Sequence, residues 1–172
     1  GGYLKDNKVG DAIAEIEGQV NQLISNIYDY TGNIALDTVL TAKVKKAENE
    51  GIILRPAIAL YGEVKIDFID LVLILGNALD NAIEATVQEK KCEKRINLNM
   101  SLQDHFLIIE VKNPVTKPLV IQNDHIMTSK QDGEMHGFGL DNIKLLVQKY
   151  NGSVRIECTE KMFTLGSVTT NG

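Results

Sequence analysis

Four polar side chains interrupt a strongly apolar stretch at intervals that suit one face of a helix. Asn77, Asn81, Glu84 and Gln88 stand at i, i+4, i+7 and i+11, so a helix would align them in one stripe. Asparagine is a poor helix former and costs roughly 0.5 to 1 kcal/mol against alanine at such a position. Several residues that disfavour a helix, placed together on one helix face, are typical of a functional site. The alternative is that the stripe simply faces water.

A second candidate stretch, Thr128 to Ile143, joins a polar loop to a helix. Gly137 and Gly139 stand where that helix begins, so backbone N–H groups are left uncovered at the positive end of the helix dipole. The arrangement is typical of a phosphate-binding site, and Lys130 would add a positive charge beside a terminal phosphate. It is not a P-loop, because no GK[ST] follows a strand, and not a Rossmann fingerprint, because no strand leads into Gly137.

The apolar periodicity predicts the elements that must position these residues. The predicted helices are 6–30, 36–49, 67–88 and 137–150, and the predicted strands are 52–60, 95–102, 106–112, 154–158 and 162–168. Pro56 confines the first strand to a sheet edge, a turn is expected at Gln103-Asp104, and a bulge is expected at Gly166. The run from Pro114 to Met135 lacks steady periodicity, which predicts a lid or a disordered segment. Helices on one face of a mixed sheet, an α/β two-layer sandwich, would bury the inner faces.

The first helix carries a heptad pattern. Its apolar residues recur at alternating spacings of four and three, namely Val9, Ile13, Ile16, Val20, Leu23, Ile27 and Tyr30. This seam predicts a helix that pairs with another helix. The alternative is a helix that docks only on its own domain.

Composition excludes several classes of protein. The 172 residues are 44% apolar, which is enough for a real core, and the formal charge of −5 comes without any basic run. A nucleic-acid partner is therefore not expected. Cys92 and Cys158 lack metal-ligand spacing and indicate reduced thiols, and no stretch approaches the roughly 18 apolar residues of a membrane span.

Two sequences together, LILGNALDNAIEA and HGFGLDNIKLLVQKYNG, resemble the N box and the second glycine box of the GHKL superfamily of ATP-binding proteins. The resemblance runs from about Asn33 to Val168 and implies the Bergerat fold, ATP and Mg2+ as ligands, and Asn81 as the residue that ligates Mg2+. The residues that would contact the nucleotide or take part in the chemistry are Asn77, Asn81, Asn113, Lys130, His136, Gly137, Gly139 and Leu140.

Two departures from the family pattern bear on function. Hydrolysing members of the superfamily carry a glutamate four residues before the asparagine that ligates Mg2+, and Asn77 stands there in this chain. Without that base, attack by water should be slow and the γ-phosphate kept for another acceptor, as in histidine kinases. The first glycine box, DxGxG, is replaced by VKNPV, in which Asn113 takes the place of the adenine-reading aspartate.

These features predict the ATP-binding catalytic part of a bacterial sensor histidine kinase, resembling the peptide-responsive, quorum-sensing subgroup. Residues 1–32 would be the second helix of a dimerising hairpin and residues 33–172 the catalytic domain. None of the three histidines has a phosphoacceptor context, so the acceptor is expected on an upstream helix and the chain alone should not phosphorylate itself. The expected partners are ATP, that helix, a response regulator and a second copy, in the cytoplasmic part of a membrane-anchored sensor. The alternatives are a nucleotide-poor interaction module and a serine kinase or ATPase of the anti-sigma type.

Overall fold

The computed structural model describes residues 3–90, 92–122, 125–127 and 138–172, with the backbone alone for 3–7, 122, 125–127 and 138. Three predicted site residues, Lys130, His136 and Gly137, lie outside the described residues. So does most of the second half of the predicted lid.

Four helices and seven strands make up the described fold. In chain order they are α1 (Tyr3–Ser25), α2 (Ile34–Asn49), β1 (Ile53–Ala59), α3 (Phe68–Gln88), β2 (Arg95–Gln103), β3 (Phe106–Pro114), β4 (Val120–Gln122), β5 (His125–Met127), α4 (Phe138–Lys149), β6 (Ser153–Cys158) and β7 (Met162–Thr170). Apart from the β4–β5 hairpin, this is the predicted order.

Five strands form one mixed sheet in the order β1-β2-β3-β7-β6. β1 runs parallel to β2, and the other neighbours are antiparallel. The predicted edge position of the strand that contains Pro56 is confirmed, because β1 has only β2 beside it. Proline has no backbone N–H to donate, and on the side of an edge strand that has no neighbouring strand no hydrogen bond is lost.

The helices α2, α3 and α4 cover one face of this sheet, and the core lies between the two layers. α3 packs between the other two helices and crosses β2 and β3. Asp67 caps it by accepting from Ile69 N at 2.7 Å, as predicted. The residues that fill the core include Leu36, Leu40, Leu71, Leu75, Leu79, Ile83, Ile96, Leu98, Met100, Leu107 and Ile143. The predicted two-layer α/β sandwich is confirmed.

The first helix ends earlier than predicted, at Ser25 instead of Tyr30. Backbone N–H groups that would continue it are taken by α2: Tyr28 N donates to Thr41 Oγ1 at 2.9 Å, and Thr31 N donates to Asp37 Oδ1 at 2.9 Å. Side chains 8–26 are all exposed. The helix therefore does not dock on its own domain, and its pairing with another helix stays a prediction.

Two local predictions were wrong. The β2–β3 turn lies at Asp104-His105, one residue later than expected, with Asp104 in the left-handed region at φ 52°. Gly166 forms no bulge, because it pairs regularly with both Glu110 and Arg155. The predicted lid contains the short hairpin β4–β5, whose strands of three residues are too short to show a period in the sequence.

Candidate functional site

A cleft of about 570 Å³, its open mouth included, lies between α3, the ends of β3 and β7, and the start of α4. Among the described residues that line it, two are polar, both of them asparagines, and the others are apolar. The lining residues are Ala78, Asn81, Ala82, Ala85, Val111, Asn113, Val115, Leu119, Leu140, Phe163 and Leu165.

Alanines on α3 leave the space that the cleft occupies. Ala78, Ala82 and Ala85 stand at i, i+4 and i+7, so they share the face of the helix that also presents Asn81. Larger side chains at these positions would fill the cleft. The sequence analysis did not predict these alanines as site residues. They recur at helical spacing next to the asparagine stripe, and this pattern indicates a helix face with small side chains.

Asn113 is the buried polar group of the cleft, with only 2% of its surface exposed. Its Nδ2 donates to the carbonyl oxygen of Pro114 at 3.2 Å. A carbonyl oxygen can only accept, so this contact decides which end of the amide is the NH2. The side-chain oxygen of Asn113 is thereby oriented as an acceptor. It would suit an amino group of a ligand and repel a carbonyl group.

The two motifs meet at Asn81 and Gly139. A Cβ atom added to Gly139 would lie 3.1 Å from Asn81 Oδ1 and 3.2 Å from Nδ2, which is closer than ordinary contacts allow. The glycine therefore lets the first turn of α4 approach the amide of Asn81. Leu140, also predicted for the site, is buried beside it and lines the cleft.

The other members of the predicted stripe are placed differently. Glu84 and Gln88 are exposed, so the simpler interpretation, a stripe that faces water, holds for these two. Asn77 is half-buried one turn before Asn81 and is not among the lining residues. The structure thus brings together Asn81, Asn113, Gly139 and Leu140.

Two contacts hold the loop that closes one wall. Glu89, just after α3, accepts from Thr116 N at 3.1 Å and from Thr116 Oγ1 at 2.5 Å. Leu119 N donates to Cys158 Sγ at 3.3 Å. The loop between β3 and β4 is therefore tied both to the end of α3 and to β6, and this places Val115 and Leu119 at the cleft.

The site suits a divalent cation carried by a polyanionic ligand better than one bound by the protein alone. Within the described ranges no group of three or more His, Cys, Asp or Glu side chains could hold a metal ion. Mg2+ commonly takes one or two protein ligands, keeps several waters and completes its shell with phosphates. A single amide oxygen from Asn81, next to the tight approach of Gly139, fits that mode of binding.

Comparison with known proteins agrees with this geometry. The profile of the GHKL domain matches residues 66–169. The sensor histidine kinase DpiB of Escherichia coli K12 is 25% identical over 178 residues, which cover 97% of this chain and 32% of that protein. The chain thus spans about a third of the length of this curated relative.

Solved structures share the fold. The catalytic domain of the histidine kinase ThkA superposes with a TM-score of 0.58 at 16% identity, over 84% of this chain and 97% of that one. The histidine kinase AdeS of Acinetobacter baumannii gives a TM-score of 0.56 at 14% identity, over 78% and 64%.

The chain therefore belongs to the GHKL family, and it is similar to the ATP-binding catalytic domains of sensor histidine kinases. In the part of the chain that is described, no helix has both the length and the apolar content needed to cross a bilayer.

Proposed function

We propose that this domain binds Mg-ATP in the cleft and donates its γ-phosphoryl group to a histidine on a helix outside the present sequence. The observation that carries the proposal is the meeting of Asn81 with Gly139 at the polar end of an otherwise apolar cleft. The predicted phosphate-binding residues Lys130, His136 and Gly137 belong to the same proposal.

Each end of the cleft suits a different part of the nucleotide. Val111 and Leu165, which are cross-strand neighbours on β3 and β7, offer one apolar wall to a purine ring, and the oriented oxygen of Asn113 suits the amino group of adenine. At the other end, Asn81 and the backbone N–H groups at the start of α4 suit phosphates. Asn81 would ligate Mg2+, which would supply charge neutralisation at those phosphates.

Phosphoryl transfer is favoured over hydrolysis because the described residues that line the cleft supply no carboxylate as a base. Among the described residues that line it, the polar side chains are two neutral amides and no carboxylate. Asn77, at the position of the base in hydrolysing relatives, is likewise neutral. Water bound there would not be activated, so the phosphoryl group remains available to a stronger nucleophile.

Several finer statements belong to the proposal and follow from the similarity to sensor kinases. Residues 1–32 would form part of a dimerising helical hairpin, and residues 33–172 the catalytic domain. The partners would be a second copy, a histidine-bearing helix and a response regulator, in the cytoplasmic part of a membrane-anchored sensor of the peptide-responsive subgroup.

The decisive assay uses the full-length protein and ATP labelled at the γ-phosphate. We expect labelling that is stable to base and labile to acid, as phosphohistidine is, and we expect Asn81→Asp to abolish it by placing a carboxylate against the phosphates. Asn49→Asp, which adds the same charge at an exposed position outside the cleft and the hairpin, should label like the wild type. Normal labelling of Asn81→Asp would refute the proposed role of this residue.

A separate titration of the 172-residue chain with a nonhydrolysable ATP analogue addresses the nucleotide-poor alternative. Binding that strengthens when Mg2+ is present is expected. No binding with or without Mg2+ would favour the interaction module instead.

A further inference from the structure

Asp80, the residue immediately before Asn81, is bound by two lysines of the neighbouring helix. Lys43 Nζ lies 2.7 Å from Asp80 Oδ2, and Lys46 Nζ lies 2.8 Å from Asp80 Oδ1, so each carboxylate oxygen has its own lysine. The Asp80 side chain is 33% exposed and that of Lys43 is 20% exposed.

The two ion pairs act on the turn of α3 that carries Asn81. Successive residues of a helix point about 100° apart, since 3.6 residues make one turn. Asp80 therefore faces α2 while Asn81 faces the cleft and the start of α4. Lys43 and Lys46 are one turn apart on α2, so they hold the carboxylate from two points along the helix axis.

The geometry at Asn81 leaves little tolerance. The amide lies so close to Gly139 that even a methyl group would not fit without displacement. The preceding turn contains Gly76 and Asn77, which are poor helix formers and do not stiffen the helix by themselves. A small rotation of this turn would move the amide oxygen of Asn81 away from the cleft.

We propose that Asp80 is a positioning residue, which uses its ion pairs with Lys43 and Lys46 to hold Asn81 in the orientation that ligates the nucleotide-bound cation. This inference rests on the proposed binding of Mg-ATP. Neither lysine is among the described residues that line the cleft, so the effect would reach the cation only through the orientation of α3.

The test measures the dissociation constant of a nonhydrolysable ATP analogue for the 172-residue chain, once with Mg2+ and once with EDTA. The ratio of the two constants isolates the contribution that depends on the cation. For Asp80→Asn we expect this ratio to fall about fivefold, on the order of what a displacement of less than 1 Å costs a positioned group, while the constant in EDTA stays unchanged. Asp80→Glu, which keeps a carboxylate within reach of both lysines, should recover most of the ratio.

Glu110→Gln is the matched control. Lys112 lies 2.8 Å from Glu110 on β3, and the glutamate side chain is 33% exposed, as is that of Asp80. We expect a similarly small loss of thermal stability for both variants, with the Mg2+ ratio unchanged for Glu110→Gln. An unchanged ratio for Asp80→Asn, or equal weakening with and without Mg2+, would overturn the inference. A wild-type chain whose binding ignores Mg2+ would instead refute the proposed function itself.

Discussion

Because Gly139 has no Cβ atom, two motifs that are distant in the sequence come into close contact. It stands in the first turn of α4, where alanine would be the better helix former by about 1 kcal/mol. Its backbone is not in the left-handed region, so the glycine is not required by its φ angle. The close approach of Asn81 explains the glycine at this position, because a Cβ atom would come within 3.1 Å of the amide oxygen.

Gly139→Ala should therefore separate stability from binding. The melting temperature should stay the same or rise, because alanine favours the helix. The affinity for Mg2+ with an ATP analogue should fall about tenfold, as expected when a positioned ligand is displaced by a fraction of an ångström. Thermal unfolding and calorimetric titration of the same samples measure both quantities.

Gly76→Ala is the control for this prediction. It also lies within a helix, but nothing is within 4 Å of an added Cβ atom. We expect a gain in stability of about 0.5 to 1 kcal/mol with nucleotide affinity unchanged. Equal affinities for the Gly139→Ala and wild-type chains would contradict the tight contact with Asn81.

Asn113 should select adenine over guanine. The contact from its Nδ2 to Pro114 fixes its oxygen as an acceptor, which suits the amino group of adenine and opposes the carbonyl of guanine. We expect the chain to bind an ATP analogue more tightly than the GTP analogue. We expect Asn113→Leu to weaken ATP binding about tenfold. Such a loss corresponds to about 1.4 kcal/mol, which is near the upper end of the net contribution of one hydrogen bond. Competition titrations measure the preference, and equal binding of the two purines by the wild type would rule it out.

The candidate site could be predicted from the sequence only at positions where a residue type is unfavourable in the predicted helix. Asn81 and Gly139 are costly in a helix, so they stand out against their neighbours. Ala78 and Ala82 were missed because alanine is ordinary in a helix, and only the fold shows that their small size opens a cleft. Glu84 lies on the predicted stripe but is exposed, because spacing alone cannot tell where the cleft ends.

The helices α3 and α4 are joined at the end away from the cleft by a second cluster of polar groups. Asp70 accepts from Lys149 Nζ at 2.7 Å and from the hydroxyl of Tyr150, and Tyr150 in turn accepts from Asp67 N at 3.3 Å. The hydrogen bond from Lys149, followed by that from Tyr150, holds the pKa of Asp70 below its ordinary value despite its burial. The cluster anchors the last turn of α4 to the first turn of α3.

This anchor predicts a specific dependence of stability on pH. A carboxylate whose pKa is lowered by folding stabilises the native state above its unfolded pKa, and the contribution is lost as the pH falls through the folded value. The free energy of unfolding of the wild type should exceed that of Asp70→Asn at pH 7, and the difference should shrink as the pH falls below 3.8. Urea unfolding at several pH values measures it. A difference that persists unchanged at pH 3 would show that the charge of Asp70 is not what matters.

Helix and strand bounds were mostly predictable, and the errors have local causes. Clean alternation from Ile96 to Met100 and the cap at Asp67 are signals carried by neighbouring residues. The early end of α1 depends on Asp37 and Thr41 of the next helix, which capture the N–H groups of the following segment. Such tertiary hydrogen bonds leave no period in the sequence.

The molecule consists of a sandwich with a long helix that lies outside its core. No described side chain of residues 8–26 is buried, whereas Tyr28 and Thr31 are hydrogen-bonded to α2. Removal of residues 1–25 should therefore leave the melting temperature and the nucleotide affinity of the remaining chain unchanged. A lower melting temperature or weaker binding after the deletion would mean that α1 supports the sandwich.

The apolar seam of α1 is consistent with a paired helix, and the sandwich is consistent with an independent nucleotide-binding unit. The order of elements and the two-layer architecture followed from periodicity and from the resemblance to the GHKL family. The partner of α1 stays a prediction, since a seam of exposed apolar residues indicates pairing without specifying the surface that covers it.

A crystal structure of the chain with Mg2+ and a nonhydrolysable ATP analogue tests the central claim most directly. The account predicts a purine ring packed against Val111 and Leu165 with its amino group at the oxygen of Asn113, and Mg2+ bound to Asn81 Oδ1 beside Gly139. Nucleotide bound elsewhere, or a bound cation that does not contact Asn81, would contradict it.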